Sequence, residues 1–175
     1  MTVPGVGHSV LGTDLTGCAQ NAVETWLSGG VPPSRCPRSP LLVNPIGAFP
    51  ASFSALGSGE RGRTLVAVSK TVREAAASWA FAFTGFSGAF TIPGLYGGAI
   101  RSSGTTFMLK RYSLVPGVQV SGTLQLYRPD AGAILPARFV GSLRILGTKA
   151  AHGRVSVGPN VLTGTLDGRR VRGAA

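Results

Sequence analysis

The stretch Val118-Gln119-Val120-Ser121-Gly122-Thr123-Leu124-Gln125-Leu126-Tyr127 alternates between apolar or small residues and polar residues. Alternation of this kind places successive side chains on opposite faces of a β-strand, so that one face meets a core and the other meets water. Residues 139–146 and 162–166 repeat the pattern. We therefore predict several half-buried strands in this part of the chain.

Turn sequences separate the predicted strands. Asp167-Gly168 is a two-residue hairpin sequence. Val115-Pro116-Gly117, Pro129-Asp130-Ala131-Gly132 and Gly158-Pro159-Asn160 combine the residues that favour turns. Short turns between strands predict antiparallel neighbours.

A weak internal repeat leaves a second architecture open. The tripeptides Gly122-Thr123-Leu124, Gly141-Ser142-Leu143 and Gly164-Thr165-Leu166 follow one another at intervals of roughly twenty residues. This interval is compatible with a β-solenoid that has one coil per repeat. It is also compatible with consecutive strands that have glycine where neighbouring groups need room. We favour the antiparallel sheet.

Helical periodicity precedes the strands. Residues 64–79 predict a helix with one apolar face, formed by Leu65, Val68, Val72, Ala75, Ala76 and Trp79. This face needs a surface to cover, and the predicted sheet supplies one. From Phe81 onward we expect the period of two. The expected fold class is α+β, with a helix and a mainly antiparallel sheet in residues 64–175.

A segment rich in proline and glycine separates this domain from the beginning of the chain. Residues 38–63 contain Pro40, Pro45 and Pro50, followed by the run Gly57-Ser58-Gly59-Glu60-Arg61-Gly62-Arg63. Proline extends a chain and Gly-Ser sequences make it flexible, so we predict a linker here. The expected units are therefore residues 1–37, the linker 38–63 and residues 64–175.

Residues 1–37 contain a second amphipathic helix. Thr13 or Asp14 is a suitable N-cap, and Ser28-Gly29-Gly30 a suitable C-terminal end. The helix is expected over residues 15–27, with one apolar face formed by Leu15, Ala19, Ala22, Val23 and Trp26.

The chain has two cysteines, Cys18 and Cys36. Two cysteines that flank a helix and a proline-rich loop are typical of a disulfide in an exported protein. Two unrelated buried thiols are the alternative. No second cysteine pair and no nearby histidine completes a metal site, and phosphate-loop and dinucleotide fingerprints are absent, so we expect no metal and no cofactor.

The first residues carry a resemblance to a known family. Pro4-Gly5-Val6-Gly7-His8-Ser9-Val10-Leu11 precedes Asp14-Leu15 and Cys18-Ala19, and the helix ends in Trp26-Leu27-Ser28-Gly29-Gly30-Val31-Pro32-Pro33-Ser34-Arg35-Cys36. This arrangement resembles the C-terminal end of exported α/β-hydrolases, the tripeptidyl-aminopeptidase-like and proline-iminopeptidase-like serine peptidases. The resemblance covers about residues 3–37. Residues 38–175 lie beyond it.

The resemblance implies that His8 is the triad histidine and that the two cysteines pair. In α/β-hydrolases the nucleophilic serine and the acid precede the histidine in the chain. A Gly-x-Ser-x-Gly elbow is not found here, because Leu11 and Ala89 stand where the second glycine belongs in the two partial matches. The resemblance thus implies that a hydrolase core lies upstream of His8 and is the partner of this chain. It also implies that the whole protein is an exported aminopeptidase and that this chain alone is inactive.

Charge is concentrated in the second part of the chain. Residues 1–60 have two arginines and three acidic residues, whereas residues 61–175 have 15 Lys+Arg and three acidic residues, and the whole chain carries +11. A basic domain attracts anionic polymers. The alternative function is therefore a binding module for an anionic cell-envelope polymer or for a protein partner. The cations are spread singly along the chain, so a solvated basic surface without a ligand is also open.

Two further groups are candidate sites. Tyr96, Tyr112 and Tyr127 alternate with Lys110, Arg111 and Arg128 in a way that suits stacking on nucleic acid or sugar. No RNA-binding signature accompanies them, so ordinary strand aromatics are the preferred interpretation and nucleic acid is ranked last. The other histidine, His152, has only Asp130 and Asp167 as possible acid–base partners, and both are turn residues.

Location is indicated by the first residues of the chain and by its apolar runs. Met1 is followed by a turn-like sequence and not by a basic and then apolar segment, so no signal peptide is expected in this chain. No apolar run approaches the roughly 20 residues that cross a bilayer. The hydrolase resemblance implies an extracellular or cell-envelope location for the parent protein.

Overall fold

The computed structural model describes residues 2, 14, 16–38, 50–85, 88–127 and 138–175. The chain divides into two compact units, Met1–Leu42 and Val43–Ala175. The first unit contains helix α1 (Cys18–Leu27). The second contains a 3₁₀ helix (Phe53–Leu56), helix α2 (Glu60–Gly85) and a single sheet. The division leaves each unit with its own core.

Eight strands form the sheet in the described part of the chain. They are β1 (Phe90–Pro93), β2 (Ala99–Ser103), β3 (Thr106–Tyr112), β4 (Gln119–Leu126), β5 (Phe139–Leu146), β6 (Gly153–Val157), β7 (Val161–Leu166) and β8 (Arg169–Ala174). Each strand pairs antiparallel with the next one in sequence, so the sheet is an open meander. The expected α+β class with an antiparallel sheet is confirmed.

The β-solenoid alternative is wrong. A solenoid stacks corresponding strands of successive coils in parallel, whereas Gly122 and Gly141 lie on adjacent antiparallel strands. The repeated Gly-x-Leu pattern therefore lies on strands β4, β5 and β7 of one antiparallel meander.

One face of the sheet is buried, as the alternation predicted. The core side chains of the strands include Ile100, Phe107, Leu109, Tyr112, Val120, Leu124, Phe139, Leu143, Ile145, Val155, Leu162 and Leu166. The rings of Phe90, Phe107 and Phe139 meet edge to face, with centroids 6.1 and 5.0 Å apart. The opposite face carries polar and charged side chains.

Helix α2 covers the buried face. Its predicted apolar face is confirmed, since Val68, Val72, Ala75, Ala76 and Trp79 are all buried. The hydroxyl of Thr64 is also buried and accepts a hydrogen bond of 3.0 Å from the backbone N–H of Ala151, between β5 and β6. The helix end is thereby fixed to the sheet by a polar contact as well as by packing.

Helix α2 packs chiefly on the last two strands, β7 and β8. Leu65 lies 3.5 Å from the position that a Cβ on Gly173 of β8 would take. The first part of the helix therefore lies close to the β8 end of the sheet.

Helix α2 is longer than the predicted range of residues 64–79. It begins at Glu60, where a carboxylate in the first turn interacts favourably with the helix dipole. It continues to Gly85, so the expectation of a strand pattern from Phe81 is wrong, and the first strand begins at Phe90. Residues 80–84 contain no glycine or proline that would end a helix.

Part of the range predicted as a linker is ordered. Phe53 and Leu56 in the 3₁₀ helix are buried, and the Arg63 guanidinium lies 5.9 Å from the Phe53 ring centroid. Arg63 Nε also donates a hydrogen bond of 2.6 Å to the carbonyl of Gly57. Residues 39–49 lie outside the described residues.

The predicted hairpin turn is confirmed. Asp167 and Gly168 have φ values of 46° and 71°, the positive values that a type I′ turn requires at both central positions. The Val115–Gly117 and Gly158–Asn160 turns connect β3 to β4 and β6 to β7. The predicted turn at residues 129–132 lies outside the described residues.

All three repeated glycines are places where strand backbones come very close. A Cβ on Gly122 would lie 2.2 Å from the carbonyl oxygen of Ser142, one on Gly141 would lie 2.1 Å from that of Thr123, and one on Gly164 would lie 2.1 Å from that of Arg154. Because these neighbours are backbone atoms, they cannot move aside as a side chain would. The glycines therefore permit the strand approach that the sheet adopts.

We expect Gly141→Ala to destabilise the second unit by about 1–3 kcal/mol, because the new methyl group collides with a backbone oxygen. Gly62→Ala is the matched control, since a Cβ there meets nothing within 4 Å on helix α2; it should stabilise by up to about 1 kcal/mol. The free energy of unfolding in urea measures both. Equal effects of the two changes would contradict the close approach.

Burial also shifts the pKa values of two ionisable side chains, Glu74 on helix α2 and Tyr112 on strand β3. Burial raises the pKa of the Glu74 carboxyl, against the hydrogen bond from Ser78. Burial and then the charge of Glu74 raise the pKa of Tyr112 to about 12. The folded state thus favours the neutral phenol of Tyr112 more strongly than the unfolded chain does. In the unfolded chain the phenol ionises near pH 10.

The stabilisation from Tyr112 is therefore complete below about pH 10 and is lost as the pH rises to about 12. We expect the free energy of unfolding of the Tyr112→Phe variant to fall less across this pH interval than that of the wild-type protein. Urea unfolding below and within the interval measures the difference. If both proteins lose the same free energy of unfolding, Tyr112 does not ionise with a raised pKa.

Candidate functional site

The predicted triad histidine, His8, lies outside the described residues, as do all positions from 3 to 13. Thr2 and Asp14, on either side of these positions, are described. Thr2 forms a parallel bridge with Arg35: its N–H donates to the Ser34 carbonyl at 3.0 Å, and its carbonyl accepts from the Cys36 N–H at 2.9 Å. Thr2 is thus paired with the segment that contains Cys36.

Asp14 forms hydrogen bonds with residues at the beginning of helix α1. Its carboxylate accepts hydrogen bonds from the Thr16 hydroxyl at 2.7 Å and from the Ala19 N–H at 2.8 Å. These bonds, led by that of the Thr16 hydroxyl, hold the pKa of Asp14 below its usual value. Helix α1 begins at Cys18, three residues later than predicted, after Gly17 with a φ of 70°. Asp14 nevertheless satisfies a free N–H of the first turn, as an N-cap does.

The predicted disulfide is formed between Cys18 and Cys36, with a Cα–Cα distance of 5.8 Å. It joins the beginning of α1 to the segment that pairs with Thr2. The bond therefore links the beginning of α1 to the tail beyond Gly30, and that tail pairs with Thr2. The alternative of two separate thiols is wrong.

The predicted apolar face of α1 is only partly covered. Ala19 and Ala22 are buried. Trp26 is 66% exposed and Leu27 is 72% exposed, and Val31 beyond the helix is 93% exposed. Single exposed apolar residues are common, but three large ones within six positions form a patch of the kind that contacts another surface. Leu15, which belongs to the same predicted face, lies outside the described residues.

The second histidine is not arranged for acid–base chemistry. His152 Nε2 lies 2.7 Å from the carbonyl oxygen of Gly147, and the Asp167 carboxylate accepts from the backbone N–H of His152 and not from its ring. Asp130 lies outside the described residues. The hydrogen bond between His152 and Asp167 thus links the β5–β6 connection to the β7–β8 connection.

The predicted stacking set is divided. Tyr112 is buried in the core, and Arg128 lies outside the described residues. Tyr127 is half-buried, and its backbone N–H donates to the Arg138 carbonyl at 2.7 Å. Tyr96 is half exposed and lines a cleft of about 410 Å³ with Arg101, Lys110, Arg111 and Gln119. Tyr96 therefore accompanies cations at the surface, whereas Tyr112 does not.

The solvent face of the sheet contains two further basic clefts. Arg144, Arg154 and His152 line one of about 470 Å³. Arg170 and Arg172 line one of about 550 Å³, together with Thr163 and Thr165. No strand of the sheet contains an acidic residue. Sequence reasoning did not select Arg144, Arg154 or Arg170, since they lie on three different strands and only strand register brings them together.

Comparison with models of protein families, with curated proteins and with solved structures finds no match to this chain. Within the described ranges, no group of three His, Cys, Asp or Glu side chains is placed to hold a metal ion. None of the helices in those ranges is both long and apolar enough to cross a membrane.

The disulfide should account for much of the stability of the first unit. A bond across 18 positions contributes about 3 kcal/mol by loop closure. We expect the Cys18→Ser/Cys36→Ser variant to expose the α1 amides to hydrogen exchange, whereas exchange in α2 stays unchanged. If the α1 amides remain equally protected in the variant, the disulfide does not hold this unit together.

Proposed function

We propose that the first unit is the C-terminal part of an exported serine α/β-hydrolase domain, an aminopeptidase, in which His8 is the general base. The observation that carries the proposal is the exposure of large apolar side chains at the end of a helix fixed by a disulfide: Trp26 and Leu27 are exposed on α1, and Val31 is exposed just beyond it. A helix with an uncovered apolar side is suited to packing on a sheet. A hydrolase sheet upstream of His8 is the proposed cover.

The parallel bridge of Thr2 supports the same arrangement. Hydrolase sheets of this class consist mainly of parallel strands, and the triad histidine follows the end of one of them. Thr2 pairs in parallel with Arg35 and stands six positions before His8 in the chain. The disulfide is also compatible with an oxidising, extracytoplasmic compartment.

The proposed chemistry assigns one step to this chain. His8 takes the proton of the nucleophilic serine as that oxygen attacks the carbonyl carbon, and then gives it to the leaving amine. The serine, the acid that orients the imidazole and the oxyanion hole come from the upstream core. The nucleophile is not assigned to Ser9, because Leu11 replaces the glycine that the elbow requires.

A comparison of this chain with a longer product of the same reading frame tests the proposal. This chain alone should not hydrolyse aminoacyl chromogenic substrates. The longer product should, and His8→Ala should lower its kcat by at least about 10³-fold, whereas His152→Gln should leave kcat unchanged. Turnover by this chain that depends on one of its own serines would contradict the proposal.

The same pair of proteins tests the proposed packing. Trp26→Ser should change the unfolding free energy of this chain by less than about 0.5 kcal/mol, because the side chain is largely exposed. In the longer product the same change should cost about 3 kcal/mol or more, since the indole is then buried. An equally small effect in both proteins would show that α1 does not pack on a hydrolase core.

A further inference from the structure

The solvent face of the sheet contains a line of cations that crosses the strands. We call it the cationic row and define it as Lys110, Arg111, Arg144, Arg154 and Arg170. Strand register connects its members: Ser121 is opposite Arg144, Arg144 is opposite Arg154, and Thr165 connects Arg154 to Arg170. All five cations are exposed. From β3 to β8 the row extends about 24 Å along the sheet.

A β-bulge adds a cation to the row. The pairing of β3 with β4 shifts between Leu109 and Tyr112, so that both Lys110 and Arg111 are exposed next to Ser121. Arg111 takes a φ of 49°, which is uncommon for a residue other than glycine. Its backbone N–H donates to the Ser121 hydroxyl at 2.9 Å, and its Nε donates to Gln119 at 3.2 Å. The bulge thus presents two adjacent basic side chains on the solvent face.

A like-charge pair lies in the middle of the row. Arg144 and Arg154 are direct cross-strand partners on the same face. Like charges in such positions destabilise a sheet. The bulge and this pair are thus two unfavourable local features on one surface, and such features concentrate at functional sites. A bound anion would relieve the repulsion between the two guanidinium groups.

A second line runs beside the cationic row. We call it the hydroxyl row and define it as Thr123, Ser142, Ser156 and Thr163, which are successive cross-strand partners and all exposed. Hydroxyl groups donate and accept hydrogen bonds, and they suit the hydroxyls of a polyol or sugar chain. Strands β4 to β8 have no exposed aromatic residue on this face, so bases of a nucleic acid would lack stacking partners there.

We propose that this face binds a linear, hydroxyl-bearing polyanion that runs across the strands, with phosphate or carboxylate groups on the cationic row and hydroxyls on the hydroxyl row. Guanidinium groups bind both kinds of oxyanion in bidentate fashion. The three basic clefts, at β2–β3, β5–β6 and β7–β8, are the sites for successive anionic groups. This inference is independent of the hydrolase proposal, because it uses only residues of the second unit.

Two variants of equal charge test the proposal. Lys110→Gln/Arg144→Gln/Arg154→Gln neutralises the row, and Arg35→Gln/Arg38→Gln/Lys149→Gln neutralises exposed cations elsewhere. Each removes three charges from the net +11, which leaves +8. Calorimetric titration with polyglycerol phosphate and with polygalacturonate at several salt concentrations measures the affinity, and the two polymers distinguish a phosphate from a carboxylate ligand.

The row variant should bind at least about tenfold more weakly than the wild-type protein. Its slope of log affinity against log salt should be lower by about 2, as expected for three lost ionic contacts to a flexible polyanion. The control variant should keep both the affinity, within about twofold, and the slope. Equal weakening in the two variants would overturn the proposal, because net charge alone would then account for binding.

Two more measurements distinguish a site for a polyol polyanion from a site for a single anion and from a nucleic-acid surface. Glycerol phosphate monomer should bind much more weakly than the polymer, and single-stranded DNA of the same charge number should bind no better than polyglycerol phosphate. Tighter binding of DNA, equal binding of the monomer, or no binding of either polymer would overturn the proposal.

The repulsion within the row has a test of its own. Arg154→Thr should raise the Tm of the free protein, because it removes the like charge opposite Arg144, and it should weaken polymer binding. Thermal unfolding without polymer and calorimetric titration with it measure the two effects. A lowered Tm would contradict the repulsion between Arg144 and Arg154.

Discussion

The second unit depends on one constraint: the apolar face of a single eight-stranded meander must be buried, and helix α2 packs against it. Within this sheet, neighbouring strand backbones come very close at some positions. Glycines such as Gly141 and Gly164 permit this approach, since a Cβ at either position would collide with a carbonyl oxygen of the next strand. Burial of one face therefore places α2, and close strand approach determines where glycine is required.

The same constraint determines what faces the solvent. Because successive side chains alternate between the two faces, burying Leu143, Val155 and Leu166 leaves Arg144, Arg154 and Thr165 outside. A line of cations thus follows from the strand pattern and from register. The Arg111 bulge is the exception to alternation, and it places an additional cation on this surface.

Much of the fold was predictable from the sequence, because local patterns specify it. The period of two indicated the strands, the period of 3.6 indicated the buried face of α2, and Asp167-Gly168 indicated a hairpin. Helix ends were less accurate, because nothing in residues 80–84 marks a stop and Asp14 caps α1 from outside the helix. The repeat of glycine triplets was ambiguous, since the interval alone does not distinguish parallel from antiparallel neighbours.

The sites were less predictable than the fold. The disulfide followed from two cysteines around a helix, but the basic surface did not follow from composition, because its cations lie on different strands and cross-strand register is a property of tertiary structure. His8 remains a prediction that rests on the residues around it, and its flanking residues, Thr2 and Asp14, are each held by hydrogen bonds.

The central claim is that the two faces of the sheet have different roles, one as the core and the other as a surface for an anionic chain. An NMR titration of the labelled protein with polyglycerol phosphate tests this most directly. The account predicts shifts of the arginine Nε–H signals of Arg111, Arg144, Arg154 and Arg170 and of nearby strand amides, with the amides of α1 unchanged. Shifts concentrated on α1 or on the connections at Lys149 and Asn160, with the row unaffected, would contradict it.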